Sequence, residues 1–353
     1  MIAQGYEVVA AAPPDEYAAR LEKLGCRYVP LPMDNKGTHP GRDLQLLWRF
    51  FRLLRRERPD AFLGYTVKPN VYGSLAARAL SVPVINNIAG LGVVFVQDGR
   101  LARFVRFLYR LAFARSRRVF FQNEDDQRSF VQSRVVRAEQ AGRIPGSGID
   151  LQAFSPAPPP DQEGRKFRFL LVARMLWDKG VGEYVAAARV VRKRFPQAEF
   201  CLLGFLDVQN PAAISRDQME AWVAEERISY LGATDDVRPH IAAADCIVLP
   251  SYYREGVPRS LLEAAALGRP VITTDAVGCR DAVEHGVSGY LCRPRDVADL
   301  AQKMERMIEL SPAARAQMGR EGREKMEREF DERIVIDRYL VTIREIFAES
   351  AAR

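Results

Sequence analysis

The feature that most constrains this 353-residue chain is a rhythm: short β-branched runs alternate with longer amphipathic stretches from beginning to end. A short apolar run reads as a buried strand and an amphipathic stretch as the helix that covers it, so their alternation builds parallel sheets. In the first half, strands are expected at 6–12, 27–31, 61–65, 82–88 and 118–122, and these five are expected to form one sheet. The rhythm breaks at Ile144-Pro145-Gly146-Ser147-Gly148-Ile149-Asp150 and again at Ser155-Pro156-Ala157-Pro158-Pro159-Pro160. Such Gly and Pro density stops either element and reads as a hinge. Beyond it, strands are expected at 167–173, 198–203, 228–231, 246–250, 270–273 and 289–292, then helices from 296 onward, the last over 330–347. The expected fold class is α/β, with two doubly wound parallel sheets facing one cleft at the carboxyl ends of their strands. The expected division is 1–150, 151–329 and a C-terminal helix over 330–353 that packs back on the first domain.

The beginning is unusual. Ile2-Ala3-Gln4-Gly5 reads as the last turn of a helix closed by a glycine cap, followed at once by a strand. A right-handed crossover needs a strand ahead of that helix. One strand, a loop and most of a helix are therefore expected upstream of Met1.

No apolar run approaches the roughly 18 residues of a spanning helix, and the first residues lack the charged start and apolar core of a signal peptide. Five scattered cysteines, none in C-x-x-C spacing, describe neither a disulfide framework nor a zinc site. Residues 1–150 carry 23 Lys+Arg against 14 Asp+Glu, and the remainder carries 29 against 31. A basic half beside a neutral one points to a polyanionic neighbour, either nucleic acid or an acidic membrane leaflet.

Several chemistries are excluded by missing motifs. There is no G-x-x-x-x-G-K-[ST], H-E-x-x-H or G-x-S-x-G, and no D-x-D pair to hold a cation on a diphosphate. His39, His240 and His285 have no ligand spacing and read as surface or capping residues. Gly90-Leu91-Gly92 and Gly180-Val181-Gly182 both lack the third glycine of a dinucleotide fingerprint.

The informative stretch is Tyr252-Tyr253-Arg254-Glu255-Gly256-Val257-Pro258-Arg259-Ser260-Leu261-Leu262-Glu263. It follows an expected strand, and Gly256 with Pro258 marks a tight turn into a helix. The backbone N–H groups of Gly256 to Ser260 would then form an anion site where a diphosphate would lie. Glu255 precedes the helix and Glu263 lies about one and a half turns inside it, so they address different parts of one ligand. The bland alternative is that Glu255 caps the helix and Glu263 sits on a solvated face. A second cluster places Arg174 directly after a strand and Lys179 just before the next helix. A fixed guanidinium and a mobile ammonium at that place suit a departing diphosphate without a metal.

With Glu255 and Glu263 in an E-x7-E frame, this set resembles glycosyltransferase family 4, retaining enzymes of the GT-B fold. The resemblance covers nearly the whole chain. Tyr65 to Gly73, Gly90 to Phe95, Gly146 to Asp150 and Asn210 to Ile214 are similar to the subset that extends saccharides on polyprenyl diphosphate carriers for bacterial surface polysaccharides. The resemblance implies that Glu255 contacts the donor sugar, Glu263 the nucleotide ribose, and Arg174 and Lys179 the β-phosphate. It further implies nucleotide contacts from Gly256, Val257, Pro258, Arg259, Ser260 and Gly232, and acceptor-side contacts from Lys68, Asn70, Gly90, Leu91 and Gly92. It implies no bound metal or cofactor, a UDP-sugar as donor substrate, and front-side displacement with the leaving phosphate taking the acceptor's proton. Where many relatives carry a histidine near the acceptor, this chain has Asn86-Asn87-Ile88-Ala89-Gly90.

Two stretches of the basic half, 44–58 and 101–118, interleave arginines with Leu, Trp and Phe at helical spacing. Such helices lie on anionic leaflets, or else pack their apolar faces on a sheet and solvate their arginines. The expected placement is cytoplasmic, at the inner face of the plasma membrane, with a nucleotide sugar and a lipid-linked saccharide as partners and no nucleic acid. The rivals are a sugar-nucleotide epimerase or phosphorylase of the same plan, which would want its own acid and base, a nucleic-acid module, and an inactive relative.

Overall fold

The computed structural model describes every residue except 16, 34–38, 91–98, 161–163, 226–227 and 352–353. Among the described residues the strands form three sheets, and every strand pair is parallel. β1 (Val9–Ala12) and β2 (Arg27–Pro30), joined through α1 (Ala18–Lys23), form a sheet of two. After α2 (Pro40–Glu57) come β3 (Phe62–Tyr65), α3 (Ser74–Ala79), β4 (Val84–Ile88), α4 (Arg100–Phe113), β5 (Ser116–Phe121), α5 (Glu124–Gln132) and β6 (Ala141–Arg143). Their sheet runs β3-β4-β5-β6.

The expectation of one five-stranded sheet is thus corrected twice. β1 and β2 stand apart, and β6 joins as an unforeseen edge strand. Its Ala-Gly-Arg has no β-branched residue, so pairing with Val119–Phe121 places it rather than propensity. Between the two sheets lies a cavity of about 380 Å³, lined by Val9 and Ala11 from β1 and by Phe62 and Leu63 from β3. Neither strand has a partner on that side among the described residues.

Strand alternation divides the faces of the larger sheet. Val84 and Ile88 of β4 and Val119 and Phe121 of β5 meet α2 to α5, whereas Ile85 and Phe120 point the other way. The opposite face is covered by α12 (Glu332–Ala351) through Val335, Tyr339, Ile343 and Ile346.

The second half is continuous. β7 (Arg168–Val172), α6 (Val181–Arg194), β8 (Glu199–Leu203), α7 (Arg216–Ala224), β9 (Ser229–Tyr230), α8 (Arg238–Ala242), β10 (Cys246–Leu249), α9 (Arg259–Ala266), β11 (Val271–Thr274) and β12 (Gly289–Cys292) follow in turn. Their order is β12-β11-β10-β7-β8-β9. Phe169, Leu171, Phe200, Leu202, Cys246 and Val248 face α6 and α10 (Val297–Glu309). Leu170, Cys201, Leu203, Ile247 and Leu249 face α8 and α9 on the other side. Both faces being buried, these strands read as unbroken apolar runs, as parallel sheets do.

α11 (Pro312–Lys325) continues through a π-helical turn, Met326–Phe330, before the chain extends at Asp331 (φ −55°, ψ 129°) and bridges to Ile149. The last helix therefore begins at Glu332, two residues later than expected. Gly148 is at φ 71°, and a Cβ there would come within 2.4 Å of Glu332 Cα. A side chain at 148 would push apart the two strands of chain that pass between the halves.

Candidate active site

The site is built where the loops after β7 and β10 interlock. Gly180 takes φ 77°, and a Cβ there would stand 2.1 Å from the Pro250 carbonyl oxygen, so only glycine lets the turn before α6 lie against the end of β10. The Asp178 carbonyl then accepts the N–H groups of Tyr252 at 3.1 Å and Tyr253 at 3.3 Å, and the Ser251 hydroxyl lies 3.2 Å away. These bonds bring together Lys179 and Glu255, 76 residues apart in sequence. Lys179 Nζ lies 2.5 Å from Glu255 Oε2, and Glu255 Oε1 accepts the Ser251 hydroxyl at 2.9 Å. The two charged side chains are only 13% and 17% exposed, so the pair sits where screening by water is weak.

Arg174 stands at the same mouth. It is exposed and its guanidinium has no partner among the described residues; burial pushes the Asp178 carboxyl and the Tyr253 hydroxyl up, and the charge of Arg174 is a smaller, opposing influence on both. A guanidinium free of partners beside a paired ammonium leaves one cation ready to bind and one able to exchange partners.

The Glu255 turn enters α9 with Pro258 at the N-cap, one residue before the first helical position. The anion site expected from Gly256 to Ser260 is narrower than the sequence implied. Gly256 N–H donates to the Ala89 carbonyl at 3.0 Å and is spent, and Pro258 has no N–H. The amides of Val257, Arg259 and Ser260 have no acceptor among the described residues and carry the positive end of the helix. The bland alternative for the carboxylates is also settled: Glu255 pairs with Lys179 rather than capping the helix, and Glu263 is buried rather than solvated. Burial pushes the Glu263 carboxyl up, opposed by Arg259, whose Nε donates to Oε1 at 2.9 Å.

Gly232, at the end of β9, has φ 77° and open space where a Cβ would be, and its carbonyl accepts Gly204 N–H at 2.8 Å. Gly204 escaped the sequence reading. A Cβ there would be 1.8 Å from the Ala173 carbonyl, so the loop ending β8 needs glycine to lie beside Arg174. Ser251 was missed as well; its spacing of four from Glu255 was the available signal.

Acceptor-side residues divide. Gly90, at φ 113°, lies against the Glu255 backbone, where a Cβ would come within 2.7 Å of Glu255 Cα. Lys68 is paired with buried Asp43 at 3.0 Å, beside Tyr72, whose hydroxyl is pushed up to about 12 by burial and then by Asp43. Asn70 is buried with both amide atoms used: Nδ2 donates to the Asn87 carbonyl and Oδ1 accepts from Asn86. Its burial and these bonds make it a brace of the core under the cleft in this structure. Leu91 and Gly92 lie outside the described residues.

Comparison with known proteins decides the class. The family described as "Glycosyl transferases group 1" matches residues 166–310, and "Glycosyl transferase 4-like domain" matches residues 1–147. The chain belongs to the glycosyltransferases. This glycosyltransferase is 28% identical over 349 residues to the N,N'-diacetylbacillosaminyl-diphospho-undecaprenol alpha-1,3-N-acetylgalactosaminyltransferase of Campylobacter jejuni, covering 95% of this chain and 90% of that one. It is 23% identical over 279 residues to the UDP-Gal:alpha-D-GlcNAc-diphosphoundecaprenol alpha-1,3-galactosyltransferase of Escherichia coli, covering 76% and 71%. Its fold is GT-B. Anabaena HepE, solved in complex with UDP, superposes with a TM-score of 0.76 at 21% identity, covering 99% of this glycosyltransferase and 94% of HepE. The sucrose-phosphate synthase of Thermosynechococcus elongatus gives the same score and identity over 99% and 91%.

Proposed function

We propose that this glycosyltransferase moves a hexose or N-acetylhexosamine from a UDP-sugar to a saccharide linked to polyprenyl diphosphate, with retention at the anomeric carbon. The observation that carries the reading is the Lys179–Glu255 pair beside the unpartnered Arg174, all at the carboxyl ends of β7 and β10. Arg174 and the free amides of α9 meet the donor's diphosphate, and Lys179 turns from Glu255 to the β-phosphate as charge develops there. Glu255, released, accepts hydrogen bonds from the donor sugar, and Glu263 takes the ribose. The acceptor hydroxyl attacks the anomeric carbon from the face on which UDP departs: the new oxygen–carbon bond forms as the bond between that carbon and the β-phosphate oxygen breaks, and the departing phosphate oxygen takes the hydroxyl proton. Relatives named for transfer to diphospho-undecaprenol saccharides support this acceptor class, and HepE with UDP supports the nucleotide.

Exposed apolar side chains support a membrane-facing first half. α2 buries Leu46, Phe50 and Leu54 but leaves Leu44 and Trp48 exposed, and α4 leaves Phe104, Phe107 and Leu111 exposed among arginines. Both helices lie in the same layer over the sheet, flanking α3. Apolar residues that project outward beside cations suit the headgroup region of an anionic leaflet. Among the described residues no helix is long and apolar enough to cross a membrane.

The decisive experiment is sugar transfer from UDP-sugars to a polyprenyl-diphosphate saccharide, comparing wild type with Lys179→Ala and Glu263→Ala. Lys179→Ala should lower kcat by about 10²–10³, the cost of removing one electrostatic donor, and Glu263→Ala should mainly raise the UDP-sugar KM. Unchanged rates in both variants would remove the site assignment. Flotation with phosphatidylglycerol vesicles tests the surface: wild type should bind at low salt and release at high salt, and Trp48→Glu with Phe107→Glu should abolish binding. No flotation of wild type at low salt ends the membrane reading.

A further inference from the structure

The residue before Glu255 does something its own half of the molecule does not require. Arg254 reaches across to the first half, where its Nε donates to Asp126 Oδ1 at 2.8 Å and its Nη2 lies 2.8 Å from the same oxygen. Asp126 is 0% exposed, in the first turn of α5. Its other oxygen accepts Asn123 Nδ2 at 3.0 Å, and Asn123 Oδ1 caps the helix by accepting Asp126 N–H at 2.8 Å. Asn123 Nδ2 also stands 3.4 Å from the Glu255 carbonyl oxygen. One residue further on, Gly256 N–H donates to the Ala89 carbonyl at 3.0 Å. Thus three consecutive residues, 254 to 256, are each bonded to the first half, through the loops that end β4 and β5 and the first turn of α5.

The fit leaves no slack. A Cβ on Gly90 would press on Glu255, one on Gly256 would meet Gln122 Oε1 at 1.9 Å, and one on Gly278 would meet the Gly256 carbonyl at 1.9 Å. A second crossing contact, Arg280 to Asp125, is longer at 3.8 Å and about 40% exposed on both sides, so Arg254–Asp126 dominates. Burial pushes the Asp126 carboxyl up, and Asn123 and Arg254 oppose it. A buried pair of this kind contributes little net stability, because desolvation offsets attraction; what it supplies is a unique geometry.

We propose that Arg254 and Asp126 form a latch between the two halves that positions the Glu255 carboxylate for the donor sugar, so that closing the cleft and aligning the reacting groups are one event. Both are positioning residues, since neither touches the Lys179–Glu255 pair through its side chain. The inference rests on the donor-sugar role given to Glu255 above. Separation of the halves would strand a carboxylate and a guanidinium together with the Gly256–Ala89 bond, and the turn that carries Glu255 would lose three of its restraints at once.

The test uses the full chain and four variants: Asp126→Asn, Arg254→Gln, Asp126→Arg, and the exchange of both charges, Asp126→Arg with Arg254→Asp. The two neutral variants should lower kcat by about 10²-fold, the cost of a misplacement near 1 Å, with UDP affinity in calorimetry nearly unchanged. The charge exchange should recover most of the loss suffered by Asp126→Arg. Wild-type kcat in Asp126→Asn overturns the proposal, as does a parallel fall of kcat, UDP affinity and thermal midpoint without recovery in the exchange, which marks a merely structural pair. Small-angle scattering reads the latch without turnover: Asp126→Arg should enlarge the radius of gyration and the exchange should restore it, and an unchanged radius overturns the latch. Failure of wild type to bind UDP would instead count against the donor reading, leaving the scattering result to decide the latch.

Discussion

The six-stranded sheet of the second half runs unbroken with both faces covered, whereas the strands of the first half divide into sheets of two and four with a cavity between them. β7, β10 and β11 are almost wholly buried, while every residue of β1 is only partly so. The difference matches the demands on each half. The charged groups proposed to meet the donor diphosphate stand on strand ends of the continuous, buried sheet of the second half, where packing fixes rotamers and loops. The first half supplies backbone loops, Ala89 to Gly90 and Gln122 to Asn123, that touch the Glu255 turn, and an outer helical layer with exposed apolar residues. Its chemistry is one of contact and placement.

Two glycine substitutions should separate these roles most sharply. Gly90→Ala places a methyl group 2.7 Å from Glu255 Cα in a positive-φ conformation, so the junction between the halves must open. Expected is a fall in kcat of about 10²-fold with a small change in thermal midpoint, because the strain falls at the junction between the halves and not inside either core. Gly180→Ala drives a methyl group to 2.1 Å from the Pro250 carbonyl inside the rigid half. There the backbone cannot give, and a loss of about 1–3 kcal/mol in stability should accompany the loss of rate. Equal thermal losses in the two variants would break the comparison. Hydrogen exchange sharpens it at the next level. Amides of β1 and β2 should exchange ahead of those of β7, β8 and β10, since a difference of about 1.4 kcal/mol in opening free energy is already tenfold in protection. Uniform protection across the sheets would show that the cavity does not weaken the first half.

How much of this was legible in the sequence follows the same division. All six strands expected in the second half are found, and the inner ones are legible because burial on both faces writes them as continuous apolar runs such as Phe169-Leu170-Leu171-Val172. β6 was invisible, since an edge strand of Ala-Gly-Arg is placed by its neighbour alone. At the site, Arg174, Lys179, Glu255 and Glu263 could be singled out from residue type and spacing. What spacing could not disclose was consumption of candidate groups by tertiary contacts: the Gly256 amide by Ala89, the Asn70 amide by Asn86 and Asn87, and Lys68 by Asp43. Arg254 went unremarked for the reverse reason, as its partner lies 128 residues away on another element.

Glu263 provides the smallest expected effect and the finest check on the rigid half. Its carboxyl is buried within α9, and burial pushes its pKa above that of an ordinary carboxyl despite Arg259. The folded state therefore retains the proton to higher pH than the unfolded chain. As pH rises from about 4.3, the ordinary glutamate value, to the raised folded value, the unfolded state binds fewer protons and stability declines; above that window the penalty is constant. Glu263→Gln removes the penalty while keeping an oxygen for Arg259 Nε, so at pH 7 the unliganded variant should melt higher, by about 2 °C. The same variant should bind UDP more weakly, because an amide is a poorer acceptor for a ribose hydroxyl than a carboxylate. A gain in melting temperature together with a loss of nucleotide affinity identifies a charge kept for the ligand at the fold's expense. A loss of both would mean that ionised Glu263 stabilises α9 through Arg259, and that the rigidity of this half depends on that ion pair.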